Sequence, residues 1–203
     1  EHLRVLSAPA RSDRWRELRP SALRTVLGAA RGLVDVVVVD CPAGVPSSAL
    51  DPLHLEPAGP GSTTAAVLED ADVSLLVASA DTLGLVRLTH AIEVLDESVP
   101  AAATHDHLHV VVNRVRASAA GRSPETHVRR TLDRIAPGRR YTLLPQDVEA
   151  ADAALRAGRP VGDAAPSSAL ARAITKLLDD VVPPASISSG APAHRRWSRR
   201  SIA

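Results

Sequence analysis

The chain has 203 residues, of which 45% are apolar, and a formal net charge of +1, which is typical of a single globular domain. Its last 22 residues contain four arginines and no acidic residue, so the remainder is mildly acidic, which argues against a nucleic-acid-binding surface there. Cys41 is the only cysteine. It excludes an internal disulfide and fits a reducing cytoplasm. The sequence has no apolar run of 18 residues and no signal-peptide pattern.

The first part of the chain predicts two strands and two helices. Val34–Val39 is a run of β-branched residues with little polar alternation, which predicts a strand buried on both faces of a parallel sheet. The other predicted elements are a short strand at Leu3–Leu6, a helix at Arg16–Arg31, a loop at Pro46–Thr63 and a short helix at Ala65–Glu69.

The second part continues the alternation. Strands are predicted at Val73–Ser79, Leu108–Asn113 and Tyr141–Leu144, and helices at Leu83–Leu95, Ser123–Ile135, Asp147–Ala157 and Ser167–Val181. This order predicts an α/β fold of three layers, a mostly parallel sheet with helices on both faces, over residues 1–182. Residues 183–203 are rich in Pro, Ser and Arg and predict a disordered basic tail.

Asp40 follows the valine run, at the edge of the sheet where open α/β folds bind ligands. A carboxylate there can hold a Mg²⁺-bound water, and Gly44 lets the next loop move when a phosphate arrives. The alternative is an ordinary turn that leads into a helix cap. No Gly-rich loop with a lysine occurs in the sequence, and its only lysine is Lys176.

Two further groups follow predicted strands. Asn113 offers one amide donor group and one acceptor to a purine edge, although Asn also favours turns. Pro145 and Asp147 can form one wall of a base pocket, while Asp147 also fits as a helix cap; the two roles are compatible.

Two clusters remain. His105, His107 and His109 alternate as metal ligands can, but a solvated loop is the simpler interpretation. The tail segment contains Arg195, Arg196, Trp197, Arg199 and Arg200. It can contact anionic lipid or nucleic acid, and a solvated tail is the simpler alternative.

Taken in chain order, these segments resemble the MinD/ParA-like P-loop ATPases, including the CpaE/TadZ-type relatives of pilus assembly. VDVVVVDCPAGVP resembles the Walker B and switch II segment, LHVVVNRV the strand whose Asn contacts adenine, and LLPQDVEAADAALRAGRPV the segment beside the base. LRVLSAPA and LEDADVSLLVASADTLGLVRLTHAIEVL match the units before and after Walker B, so the resemblance spans residues 3–181. Asp81 departs from the Pro-Glu or Pro-Asp found in many relatives.

The resemblance implies a site for Mg²⁺ and ATP. Asp40 would hold Mg²⁺ through water and Gly44 would lie near the γ-phosphate, while Asn113, Pro145 and Asp147 would line the adenine. It further implies an ATPase that dimerises across the nucleotide, binds a protein partner and positions or assembles a cellular structure. The expected location is the cytoplasm, with peripheral contact at the inner face of the membrane.

The sequence lacks the family's Walker A loop, which lies on an upstream strand and helix, so the P-loop fold is incomplete. Two explanations stay open: the loop precedes Glu1, or the protein has lost it and acts as a non-catalytic interaction protein. In both cases we expect this chain alone to be inactive as an ATPase and marginally stable, because a missing central strand leaves neighbouring edges unpaired.

Overall fold

The computed structural model describes residues 3–7, 19–43, 60–100, 103–104, 107–117 and 123–182. Its strands are β1 (Ser74–Ser79), β2 (Leu108–Val115) and β3 (Arg140–Pro145). Its helices are α1 (Pro20–Arg31), α2 (Pro60–Asp70), α3 (Thr82–Ser98), α4 (Pro124–Ile135), α5 (Val148–Ala157), α6 (Val161–Ala164) and α7 (Ala169–Val181).

The three strands form a parallel sheet in the order β1-β2-β3. The register pairs Ser74 with Leu108 and Ser79 with Asn113 across β1 and β2. It pairs Val110 with Tyr141 across β2 and β3, and an irregularity between Val112 and Val115 shifts the last pairs. β2 is therefore the central strand, and its residues 108–112 are buried, as its run of valines predicts.

Helices cover both faces of this sheet. On one face, Leu88 of α3 and Leu132 of α4 pack in one core with Val110 and Val112. α2 extends this layer, because Leu68 packs beside Leu76 of β1 and the end of α3. On the other face, Leu177 of α7 packs against Val111 and Leu144. The predicted three-layer α/β arrangement with a parallel sheet is confirmed.

α1 lies against α2 and outside the core, since none of its residues is buried. Its Arg24 makes an ion pair of 2.6 Å with Glu69, and the Arg31 guanidinium donates to the backbone carbonyl of Asp70. Both helices differ from their predicted bounds: α1 begins at Pro20 rather than Arg16, where Pro favours the first turn, and α2 spans Pro60–Asp70 rather than Ala65–Glu69.

The strand predicted at Val34–Val39 is not formed. Residues 34–39 have no strand pairing, and the five valines among them are 37–88% exposed. A β-strand exists only through hydrogen bonds to a neighbour, and no described segment pairs with this one. The prediction of a short strand at Leu3–Leu6 is wrong for the same reason, because Leu3, Val5 and Leu6 are each 82% exposed and unpaired.

Candidate functional site

The carboxyl ends of β1, β2 and β3 lie together at one edge of the sheet. Asn113 is opposite Ser79, and the Asn113 carbonyl accepts a hydrogen bond of 2.8 Å from the Ala80 N–H. The Val115 carbonyl accepts one of 3.0 Å from the Gln146 N–H, next to Pro145. The structure therefore brings Asn113 to the same edge of the sheet as Pro145 and Asp147. The predicted base pocket requires these three residues to share an edge.

The side chain of Asn113 is held by a hydrogen bond to the backbone of the next residue. Its Oδ1 accepts a hydrogen bond of 2.8 Å from the Arg114 N–H, and Arg114 has a positive φ of 60°. A positive φ is rare for a residue with a side chain and here marks the point where β2 bends after its register shift. Because Oδ1 is engaged, the two N–H donors are the groups of the half-buried Asn113 amide that remain for a ligand.

Pro145 and Asp147 connect β3 to α5. Pro145 ends the strand, where a residue without an N–H costs no ladder bond, and it is half-buried. Asp147 is the N-cap of α5, and its Oδ1 accepts a hydrogen bond of 3.1 Å from the Ala150 N–H. The predicted cap is confirmed, and the predicted contact of these residues with a base stays a prediction.

Asp40 is exposed and lies in the stretch after the valines, where no strand is formed. Its expected place at the end of a paired strand is therefore wrong for this structure. Gly44 lies outside the described residues. Burial raises the pKa of the adjacent Cys41 thiol, and the negative charge of Asp40 raises it further.

Asp81, which departs from the pattern of the family that the sequence resembles, has a structural role. It caps α3, and its Oδ1 accepts a hydrogen bond of 2.8 Å from the Gly84 N–H. The pKa of Asp81 is lowered, first by its hydrogen bond to the Ser79 side chain and next by the Gly84 bond. The signal was in the sequence, since Asp before a periodic apolar run is a typical N-cap.

Gly84 allows α3 to approach the end of β1. A Cβ at this position would collide with the backbone carbonyl and the hydroxyl of Ser79. Next to this contact, α3 and α4 enclose a cleft of about 300 Å³, at the small end for ligand sites. The cleft is lined by Asp81, Thr82, Leu85, His127, Thr131 and Ile135, among others.

The histidines do not form a metal site in the described part of the chain. His109 is buried in β2, where its Nε2 lies 2.8 Å from the Thr142 Oγ1. The Nδ1 of His107 lies 3.0 Å from the Asp72 carbonyl, and His105 lies outside the described residues. No group of three metal-binding side chains occurs among the residues described. The expectation of a solvated loop therefore fails for His109.

No protein-family model and no curated protein matches this chain. A solved structure does: the chain is similar to a ParA family ATPase from Chlorobium tepidum TLS, with a TM-score of 0.62 and 20% sequence identity. The match covers 83% of this chain and 60% of that chain. The chain therefore has a ParA-like fold and spans about three-fifths of the length of that neighbour.

The helices described for this chain are all too short or too polar to cross a bilayer. The basic residues Arg195, Arg196, Trp197, Arg199 and Arg200, for which a membrane contact is predicted, lie outside the described residues.

Proposed function

We propose that this chain forms the base-binding part and the Walker B segment of a MinD/ParA-like ATPase that binds Mg²⁺ and ATP. The observation that supports this most directly is the common position of Asn113, Pro145 and Asp147 at the carboxyl edge of a ParA-like sheet. Ligands of open α/β folds bind at this edge. Dimerisation across the nucleotide and the positioning of a cellular structure are part of the same proposal.

The base half of this site fits the residues present. The Asn113 side chain has two N–H donors besides its engaged Oδ1, and an adenine ring nitrogen can accept from one of them. Pro145 gives an apolar surface beside them, and Asp147, with one carboxylate oxygen engaged in the cap of α5, has a second oxygen for the exocyclic amine of adenine.

The metal and phosphate half is represented by Asp40 alone among the described residues. Asp40 would hold Mg²⁺ through water, and Gly44 would approach the γ-phosphate. Bound Mg²⁺ would neutralise charge that develops on the phosphates. Lys176 lies on α7 and does not belong to a phosphate-binding loop. We therefore expect the 203 residues alone to bind nucleotide weakly and not to hydrolyse it.

Adenosine binding to the 203-residue chain tests the base half. We expect Asn113→Ala to weaken binding of adenosine about 3- to 10-fold, the loss of one hydrogen bond, without loss of helical content. The exposed Asp179→Ala on α7 is the control and should bind like the unaltered chain. Equal affinity of guanosine and adenosine, or no effect of Asn113→Ala, would overturn the base pocket.

The metal half is tested on the complete reading frame. If that frame encodes a Lys-Gly-Gly-x-Gly-Lys-[Ser/Thr] loop before these residues, Asp40→Ala should abolish Mg²⁺-dependent ATP hydrolysis and leave the fold intact. Unchanged turnover would refute the role of Asp40. A complete frame without such a loop would refute the ATPase itself.

The second candidate is a non-catalytic interaction protein that keeps the fold and lacks the chemistry. It is favoured by the absence of a Gly-rich lysine loop from the 203 residues. Under this alternative, Asp40→Ala leaves partner binding unchanged. A peripheral membrane contact is proposed for the tail in either case; deletion of residues 183–203 should then reduce binding to vesicles with anionic lipid.

A further inference from the structure

We propose that Arg114 is a positioning residue of the base site and that it acts through its backbone rather than through its guanidinium. In the left-handed conformation of Arg114, its N–H donates to the Asn113 Oδ1, which leaves the Asn113 amide with donors only. The inference rests on the proposed function. It adds the residue that decides which group of Asn113 a base can contact.

The backbone of Arg114 has an unusual conformation. Its φ is 60°, and no other described residue with a side chain has a positive φ. Glycine adopts this region readily and asparagine occasionally, whereas a larger side chain brings its Cβ too close to the following carbonyl. Such conformations persist where the surrounding structure imposes them, and they are concentrated at functional sites. The packing around Arg114 must therefore contain the cause.

The cause is one extra residue in β2. The chain takes three steps from Val112 to Val115, while β3 takes two steps between their pairing partners. Asn113 keeps its regular pairing with Ser79 of β1, so the extra residue is Arg114. A bulge of this kind redirects side chains and is common next to active sites.

Hydrogen bonds fix the bulge on both sides. Before it, the Asn113 carbonyl accepts a hydrogen bond of 2.8 Å from the Ala80 N–H, which follows β1. After it, the Arg116 Nη1 donates to the Arg114 carbonyl at 3.4 Å, and the Val115 side chain is buried. The bond of 2.8 Å from the Arg114 N–H to the Asn113 Oδ1 is therefore held by the backbone on either side of it.

This bond decides what the Asn113 amide can offer to a base. An asparagine amide has an oxygen that accepts and an NH₂ group that donates, and rotation of the amide exchanges their positions. With Oδ1 on the Arg114 N–H, such a rotation would break the hydrogen bond and bring the NH₂ group against another donor. The amide therefore offers donors only, which suits the unprotonated ring nitrogens of adenine.

The guanidinium of Arg114 provides the alternative role. Its side chain is exposed, and a planar guanidinium can stack on an aromatic ring. The two roles give opposite expectations when the side chain is removed and the left-handed backbone is kept. Arg114→Gly makes this change and is the central variant of the test.

Adenosine binding to the 203-residue chain is measured first. Arg114→Gly keeps the N–H and its left-handed conformation, so it should bind within about twofold of the unaltered chain. Arg114→Val disfavours a positive φ and should weaken binding about 3- to 10-fold, as Asn113→Ala does. Arg134→Val, in the last turn of α4, removes the same charge and should bind unchanged. Equal losses in Arg114→Gly and Arg114→Val overturn the backbone role.

A double variant shows whether Arg114 acts through Asn113. Asn113→Ala/Arg114→Val should bind adenosine like Asn113→Ala alone, because the amide that Arg114 positions is absent. Circular dichroism should give the same helical content for all variants, since Arg114 is exposed and lies outside the helices. Additive losses in the double variant would place the effect of Arg114→Val elsewhere and overturn the proposal.

Hydrogen exchange without ligand separates this inference from the base site itself. Asn113→Ala should speed exchange of the Arg114 amide about 3- to 10-fold, whereas Asn113→Asp keeps an acceptor oxygen and should leave it slow. Asn113→Asp should still lose adenosine, because a carboxylate has no N–H. Exchange that does not depend on residue 113 overturns the positioning role and leaves the base site intact. Expected exchange in a chain that does not bind adenosine refutes the proposed function, and this inference with it.

Discussion

Gly84 is required by the packing of α3 on β1. A Cβ here collides with the Ser79 carbonyl, which cannot move without breaking β1. Gly84→Ala should therefore lower the free energy of unfolding by about 1–3 kcal/mol, the usual cost of overpacking. Gly28→Ala, in the middle of α1 with open space around it, should instead stabilise by about 0.5–1 kcal/mol. Urea unfolding followed by circular dichroism measures both, and a stabilising Gly84→Ala would contradict this packing.

His109 makes stability depend on pH. Burial lowers the pKa of His109, Arg140 on β3 lowers it further, and Asp180 on α7 raises it in part. The neutral ring keeps one hydrogen bond, to Thr142, and its buried Nδ1 has no partner in the described structure. Since the unfolded chain binds the proton more readily, stability is retained at high pH and is lost as pH falls through the unfolded pKa, about 6.5.

As the pH falls, the free energy of unfolding should decrease by at most about 1.4 kcal/mol per pH unit, which is the value for the uptake of one proton. Urea unfolding between pH 8 and pH 5 measures it. The double variant His109→Leu/Thr142→Val removes the titrating group and its partner together, and its stability should be flatter over this range. The exposed His90→Gln should keep the original slope. Equal slopes in all three chains would exclude His109 as the cause.

At the scale of elements, the sequence predicts the helices and strands whose own residues contain a clear helical, strand or capping pattern. β2 is predicted by its valine run, α3 by Leu88, Ile92 and Leu95 on one face, and α5 by Asp147 before it and Gly158 after it. Residues 34–39 carry an equally clear strand pattern and form no ladder with any described segment. The pattern reports side chains suited to a buried strand, whereas pairing depends on a neighbour that the local sequence does not contain.

The residues of the candidate site also differ in whether their position depends on a local pattern or on strand pairing. Asn113 and Pro145 could be placed together from sequence, because both follow strands of one parallel sheet and such ends share an edge. Asp40 could not be placed, since its position depends on a strand pairing that the described residues do not make. The register shift after Val112 and the positive φ of Arg114 also have no local signal, because both residues are compatible with regular strand.

Leu177 is the buried side chain of α7 in the cluster that α7 forms with the sheet, and Leu170, Ala173, Ile174 and Val181 pack around it. Leu177 is buried between Val111 and Leu144, while the adjacent Leu178 is 51% exposed. Leu177→Ala should lower the free energy of unfolding by about 2–4 kcal/mol, and Leu178→Ala by less than about 1 kcal/mol. Chemical unfolding of the two variants, which differ by one position on one helix, gives the comparison. Equal losses would mean that α7 packs in a different orientation.

At the scale of the whole molecule, burial is uneven across the sheet. β2 is covered on both faces and paired on both sides, whereas β1 pairs with a described strand on one side only and has Leu75 and Val77 exposed on one face. Exposed strand edges with adjacent apolar surface promote association between molecules. In the described part of the chain, the outer edge of β1 is thus a margin with exposed apolar surface, and association in solution should follow from that margin.

The variant Val77→Lys should reduce this association. The Val77 side chain is 59% exposed on β1, so the charge should cost less than about 0.5 kcal/mol of stability, while it opposes edge-to-edge contact. We expect the unaltered chain to show a mass that rises with concentration in size-exclusion chromatography with light scattering, and the variant to stay monomeric. Leu155→Lys changes an equally exposed leucine on α5, away from the margin, and should associate like the unaltered chain. If this control also stays monomeric, net charge is the cause; if the unaltered chain never associates, the prediction that the β1 edge drives association is wrong.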